Sequence, residues 1–181
     1  MSTLASSAKA HSLDRPVPAH HERAHEPVSR FGTPDESTLP AEVAAIYAKF
    51  RRQYGFVPNW LKALAVNPDT ALRLVVFYEH LFDPQRSHLT AGERELIAVV
   101  TSASNQCGYC VFNHTQALAT ALGDTVRAQR IAQGFHHVRL TAREAALAEL
   151  AERLTREPTK IGDADLQRVF SRMKVWSAFR I

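Results

Sequence analysis

Apolar residues recur at spacings of three and four from Leu39 onward, and no segment shows convincing alternation of apolar and polar positions. The first spacing is the imprint of an amphipathic helix and alternation would mark a half-buried strand, so the chain is predicted to be all-α. Pro40 suits a first helical turn, Val43, Ile46, Tyr47, Phe50 and Tyr54 share one face, and Gly55 offers a stop. A second, short helix opens at Pro58 and carries Trp60, Leu61, Leu64 and Ala65 as far as Asn67-Pro68. Asp69 is expected to cap a third helix, running through Leu72, Val75, Val76, Tyr78 and Leu81 to about Phe82, where Asp83-Pro84 ends it.

Two further starts are marked by a hydroxyl residue followed three positions later by glutamate, Thr90 to Glu93 and Thr141 to Glu144. After the first, Leu96 to Val100 is apolar on every side, which predicts a helix at the centre of the fold. The next helix begins near Asn105 to Cys107 and reaches Gly123, a shorter piece spans Thr125 to Gln133, and a long amphipathic helix follows the second box to Pro158. Asp163 is expected to cap a last helix from Ala164 to about Met173. The echo between Leu89-Thr90-Ala91 and Leu140-Thr141-Ala142 hints at duplication, although two capping boxes converge easily.

Residues 1–37 lack any sustained apolar period and read as a flexible tail ahead of one helical domain over 38–181. The irregular spacing of His11, His20, His21 and His25 fits a solvated tail better than a metal tract. With 181 residues and an apolar fraction of 45%, the chain can bury a real core. The net charge of +4 lies outside the tail, on dispersed arginines without a dense basic run or interleaved aromatics, which argues against nucleic acid as a partner. No window approaches the roughly 18 apolar residues of a membrane span, and the first residues lack the apolar run of a secretory signal, so a soluble, cytoplasmic protein is expected.

Both cysteines of the chain stand together in Cys107-Gly108-Tyr109-Cys110, with His114 four residues on and Glu95 twelve before. Cys107, Cys110 and His114 fall within a wedge of roughly 60° on an ideal helix. A pair two residues apart is a poor structural staple and, in a reducing cytosol, is more often redox-active or metal-binding. At a helix start the backbone N–H groups favour thiolate over a thiol of ordinary pKa about 8.5. His114 can carry a proton and Glu95 can orient the imidazole, provided the two helices fold back as a hairpin. Two thiolates, an imidazole and a carboxylate would equally make a tetrahedral zinc set, but structural zinc normally has a second closed pair and the chain has no further cysteine. Tyr109 reads as packing between the cysteines, His136-His137 as a surface turn, and His80 and His88 as loop residues around Asp83-Pro84.

Glutamate twelve residues ahead of Cys-x-x-Cys-x-x-x-His, with Gly55-Phe56-Val57-Pro58-Asn59-Trp60, Leu89-Thr90 and Asn105-Gln106-Cys107-Gly108-Tyr109-Cys110, resembles the alkylhydroperoxidase D-like family of the carboxymuconolactone decarboxylase superfamily, in its peroxidase-related branch. The resemblance covers about 38–170. It implies an alkylhydroperoxidase D-like helical bundle with the cysteine pair at a helix N-terminus, no bound cofactor or metal, and reduction of a hydroperoxide at the expense of an external dithiol or redox protein. Cys110 matches the cysteine that becomes sulfenic acid, Cys107 the one that resolves it, and Glu95 with His114 the proton relay. A homo-oligomer, trimer or hexamer, is implied too. Some members carry histidine where this chain has Tyr109, and the family usually continues into an apolar helical segment where this chain ends in 171–181, an ending that resembles a truncated or altered terminus. The alternatives are a decarboxylase or lactone-processing enzyme of the wider superfamily, which does not rely on a cysteine pair, and a non-enzymatic redox-sensing or interaction protein.

Overall fold

In the computed structural model, residues 27–173 are described. The four histidines of the tail and the chain end after Met173 lie outside the described residues. The secondary structure of the described part is helical, without strands. The chain divides between Arg73 and Leu74 into two compact units.

The first unit holds α1 (Ala41–Tyr54), α2 (Asn59–Leu64) and the start of α3 (Pro68–Phe82). Val43, Tyr47 and Phe50 form the buried stripe of α1, and Gly55 closes the helix in the left-handed region at φ 81°, its N–H donating to the Arg51 carbonyl. Of the expected face, Tyr54 lies half out in solvent, its ring 5.6 Å from that of Phe50. Trp60 of α2 meets Phe50 edge-on at 5.9 Å. Asn67, rather than Asp69, caps α3, its Oδ1 accepting from the Thr70 N–H at 3.1 Å. Proline at the first helical position makes the residue before it the cap, and Asp69 pairs instead with Arg73 one turn on. His80, expected in a loop, lies inside α3.

The second unit contains α4 (Ala91–Ser104), α5 (Gly108–Leu122), α6 (Thr125–Gly134), α7 (Ala142–Arg156) and α8 (Asp163–Met173). As its apolar run predicts, α4 is central, packing against α5, α6 and α7. Its Leu96, Val99 and Val100 join Leu118, Ala128, Ile131, Phe135, Ala148 and Ala151 in one core. A smaller cluster of Ala146, Leu147 and Val169 seats α8 on α7.

Both capping boxes form, and each capping glutamate also receives an arginine from another helix. Glu144 accepts from Arg127 Nη2 on both carboxylate oxygens, at 3.0 and 2.9 Å. Glu93 is paired with Arg143, a residue inside the second box. The hydroxyl and the glutamate satisfy the first N–H groups of the helix, while the arginine holds that helix end against a neighbour.

Candidate active site

The turn between α4 and α5 is as short as two helix caps allow. Gln106 stands in the left-handed region at φ 56°, its N–H donating to the Ala103 carbonyl, and the Cys107 N–H reaches back to Ser102, each at 3.0 Å. These two bonds make a Schellman closure of α4. Cys107 is then immediately the N-cap of α5, its sulfur accepting from the Cys110 N–H at 3.3 Å. The α5–α6 junction repeats the device with Gly123 at φ 64° and Asp124 as the cap. A sulfur thus occupies the position that a carboxylate takes one helix later, in the positive end of the helix dipole.

Cys107 and Cys110 are joined as a disulfide, their Cα atoms 5.3 Å apart. Both are partly buried. His114 follows Cys110 by four residues along α5, where side chains are neighbours on one face. Across the hairpin, Glu95 of α4 meets it, with Oε2 2.8 Å from His114 Nδ1. The Glu95 and His114 side chains are 13% and 21% exposed, so the bond between them is largely sheltered from water. An ionised carboxylate can only accept, so it assigns the proton to Nδ1 and leaves the Nε2 lone pair for chemistry. Nε2 has no hydrogen-bond partner among the described residues.

The register of α4 that presents Glu95 is fixed at its start. Arg143 donates from Nε to Glu93 Oε1 and from Nη2 to the His88 carbonyl, while Arg94 Nη1 donates to the Leu89 carbonyl. The Arg143 guanidinium, helped by the Thr90 N–H, holds the Glu93 carboxyl below the usual carboxylate range against the opposing effect of burial.

The structure brings the four residues singled out from the sequence together as two pairs, the cysteines at the start of α5 and His114 of α5 with Glu95 of α4. Other attention-drawing residues join neither pair. Tyr109, expected to be packed, is 44% exposed. His136 and His137 lie on the 3-10 turn Phe135–His137, where His136 Nε2 pairs with Glu152 at 2.9 Å. His88 contributes its carbonyl to Arg143 and is otherwise exposed. Sequence reasoning misses one neighbour of the site. Phe82, at the end of α3, stacks on the His114 ring with centroids 5.9 Å apart and planes 13° apart. A contact between residues 32 positions apart has no local signature.

Among the described residues, no group of three or more histidine, cysteine, aspartate or glutamate side chains is arranged to hold a metal ion. No helix among them is long and apolar enough to cross a membrane.

Residues 68–155 match the carboxymuconolactone decarboxylase family. No curated protein matches the chain. Among solved structures, the chain is similar to the alkylhydroperoxidase AhpD core of an uncharacterized peroxidase-related protein from Ralstonia eutropha JMP134, with TM-score 0.76 and 29% identity over 81% of this chain and 76% of that one. It is also similar to an uncharacterized peroxidase-related protein from Silicibacter sp. TM1040, with TM-score 0.76 and 27% identity over 87% of this chain and 83% of that one.

Proposed function

Through residues 68–155 the chain belongs to the carboxymuconolactone decarboxylase family, and on that premise we propose that it is a thiol-dependent peroxidase reducing hydrogen peroxide or organic hydroperoxides. The observation that carries this reading is a bonded Cys107–Cys110 pair one turn ahead of a histidine held by a glutamate at 2.8 Å. The peroxidase-related neighbours support it.

In the proposed cycle the Cys110 thiolate attacks the terminal oxygen of the hydroperoxide. The O–O bond breaks, Cys110 is oxidised to sulfenic acid, and the leaving alkoxide, or hydroxide from hydrogen peroxide, takes from His114 Nε2 the proton that the imidazole, held by Glu95, removed from the Cys110 thiol to form the thiolate. Cys110 suits the attacking role because it lies a single turn from the imidazole, whereas Cys107 lies two turns away. Cys107 then attacks the Cys110 sulfur, the S–OH bond breaks, and water departs with a proton. Its N-cap position favours the thiolate that this second step needs. An external dithiol or redox protein reduces the disulfide by exchange and is itself oxidised, so one hydroperoxide and one dithiol become one alcohol, one water and one disulfide. The reading sets the enzyme in a reducing cytoplasm as a homo-oligomer, trimer or hexamer, without cofactor.

Free thiols counted before and after one equivalent of hydroperoxide test it, in reduced wild type and in Cys107→Ser and Cys110→Ser. Wild type should lose both thiols with turnover sustained by added dithiol, and Cys110→Ser should lose turnover. Unchanged thiol counts in wild type would sink the reading. Activity on a lactone acid that survives both substitutions would turn it toward a decarboxylase, and reversible disulfide formation without turnover toward a redox sensor.

A further inference from the structure

We infer that Phe82 is a positioning residue for His114, holding the face of the imidazole while Glu95 holds its edge. The inference rests on the peroxidase reading, since it concerns how that site delivers its proton. A single hydrogen bond at Nδ1 fixes one atom of the ring but lets the plane rock about the line to its partner. Phe82 removes that freedom, lying 13° from parallel with the imidazole. Edge and face are thereby fixed from two helices other than α5, and Nε2 keeps one direction.

Phe82 is itself well anchored. Tyr78, one turn earlier on α3, stacks on it with centroids 4.7 Å apart and planes 28° apart. Immediately after it, Asp83 caps the 3-10 turn Pro84–Arg86, Oδ1 accepting from the Gln85 N–H at 2.8 Å, and Pro84 fixes its own φ. The ring therefore sits between a stacked tyrosine on its own helix and a capped 3-10 turn that follows it at once. Offset aromatic stacking with centroids between about 4.5 and 7 Å is favourable in its own right, so the arrangement stabilises as well as orients. Proton transfer depends steeply on placement, and a misplacement of about 1 Å can cost about a hundredfold in rate.

The test uses the full-length reduced protein and hydrogen peroxide, following disulfide formation by stopped flow in wild type, Phe82→Leu, Phe82→Met and Phe82→Tyr, each also made in a His114→Gln background. Either aliphatic replacement fills the volume without a planar face, so one suffices if the other fails to fold. The expected result is a loss of about 10- to 100-fold in the oxidation rate for Leu or Met, recovery to within about threefold for Tyr, and no further loss when His114 is already absent. An equal loss with and without His114, or a Tyr variant as slow as Leu, would overturn the inference. If wild type does not react with peroxide, the peroxidase reading fails separately, and the positioning role is read from the His114 carbon-bound ring protons by NMR. Their ring-current shift should be kept in Phe82→Tyr and lost in Phe82→Leu or Met; shifts unmoved by the aliphatic variants would overturn it.

Discussion

Arg143 binds Glu93 with two nitrogens, Nε to Oε1 at 2.5 Å and Nη2 to Oε2 at 3.0 Å, so a residue within the capping box of α7 completes the capping box of α4. The two boxes that look like a repeat in sequence are thereby mechanically joined, and the helix bearing Glu95 is tied at its start to a residue of α7 fifty positions on from Glu93.

Breaking this pair should destabilise the fold in a pH-dependent way. Glu93 is almost wholly buried while Arg143 keeps some exposure, so Arg143→Met is expected to cost about 2–3 kcal/mol at pH 7, less than a fully enclosed pair would. Because the Glu93 carboxyl titrates lower in the folded chain than in the unfolded one, its stabilisation is fully present above the unfolded value of about 4.3 and fades as pH falls through the folded value. Urea unfolding at pH 7 and at pH 3.5 should give a smaller difference between variant and wild type at the lower pH; a constant difference would mean the charge of Glu93 is not involved.

At the turn, conformation alone should be measurable. Gln106 and Gly123 occupy equivalent left-handed positions, and a Cβ at Gly123 would meet nothing within 4 Å, so no clash confuses the comparison. Gly123→Ala is expected to lower stability by about 1–2 kcal/mol, and Gln106→Gly to raise it by about 0.5–1 kcal/mol. Thermal or urea melts of the reduced and oxidised forms would check this, and a destabilised Gln106→Gly would show that the glutamine side chain contributes more than its backbone costs.

Cys107→Ser should separate the two roles of that cysteine. A hydroxyl can still accept from the Cys110 N–H, whereas Cys107→Ala leaves the N-terminus of α5 uncapped and should be about 1 kcal/mol less stable than the serine variant in reducing buffer. Under the proposed cycle the serine variant also cannot resolve the oxidised Cys110, so a sulfenic acid should accumulate and react with dimedone. A serine variant no more stable than alanine would remove the cap from the account of the turn.

Glu95→Gln keeps a group near His114 Nδ1 but replaces an acceptor-only carboxylate with an amide that can also donate, so the proton is no longer held on Nδ1. Peroxide-driven thiol oxidation is expected to slow by about 10²–10⁴-fold, the usual contribution of a positioned acid or base, with little change in the melting curve. Stopped-flow rates across pH for wild type and variant would check it, and a rate within about threefold of wild type would leave Glu95 as a packing residue.

Much of this is legible in the sequence because the information is local. The thiol pair and His114 share a face by helical phase, and the capping boxes announce their helices by the spacing of Thr90 and Glu93 and of Thr141 and Glu144. Glu95 is reachable because the connection is so short that α4 and α5 must run side by side. The cap of α3 is misread, although the signal is present: Pro68 belongs at a first helical position, so Asn67 rather than Asp69 precedes the helix. Phe82 and Tyr78 are recognisable only as apolar residues of a helix, since stacking on His114 depends on how α3 lies against α5 within the second unit, and that angle is set by packing rather than by neighbours in the chain.

Because Cys107 is both the final residue of one helix closure and the opening cap of the next, the α4–α5 connection has no spare residue to lose or to lengthen. An insertion or deletion between Ser104 and Gly108 would rotate α5 by about 100° per residue and carry His114 away from Glu95. Engineers who wish to graft a loop onto this protein should leave that junction alone and use the exposed Pro158–Lys160 turn between α7 and α8, where chain length is not coupled to the cysteine pair.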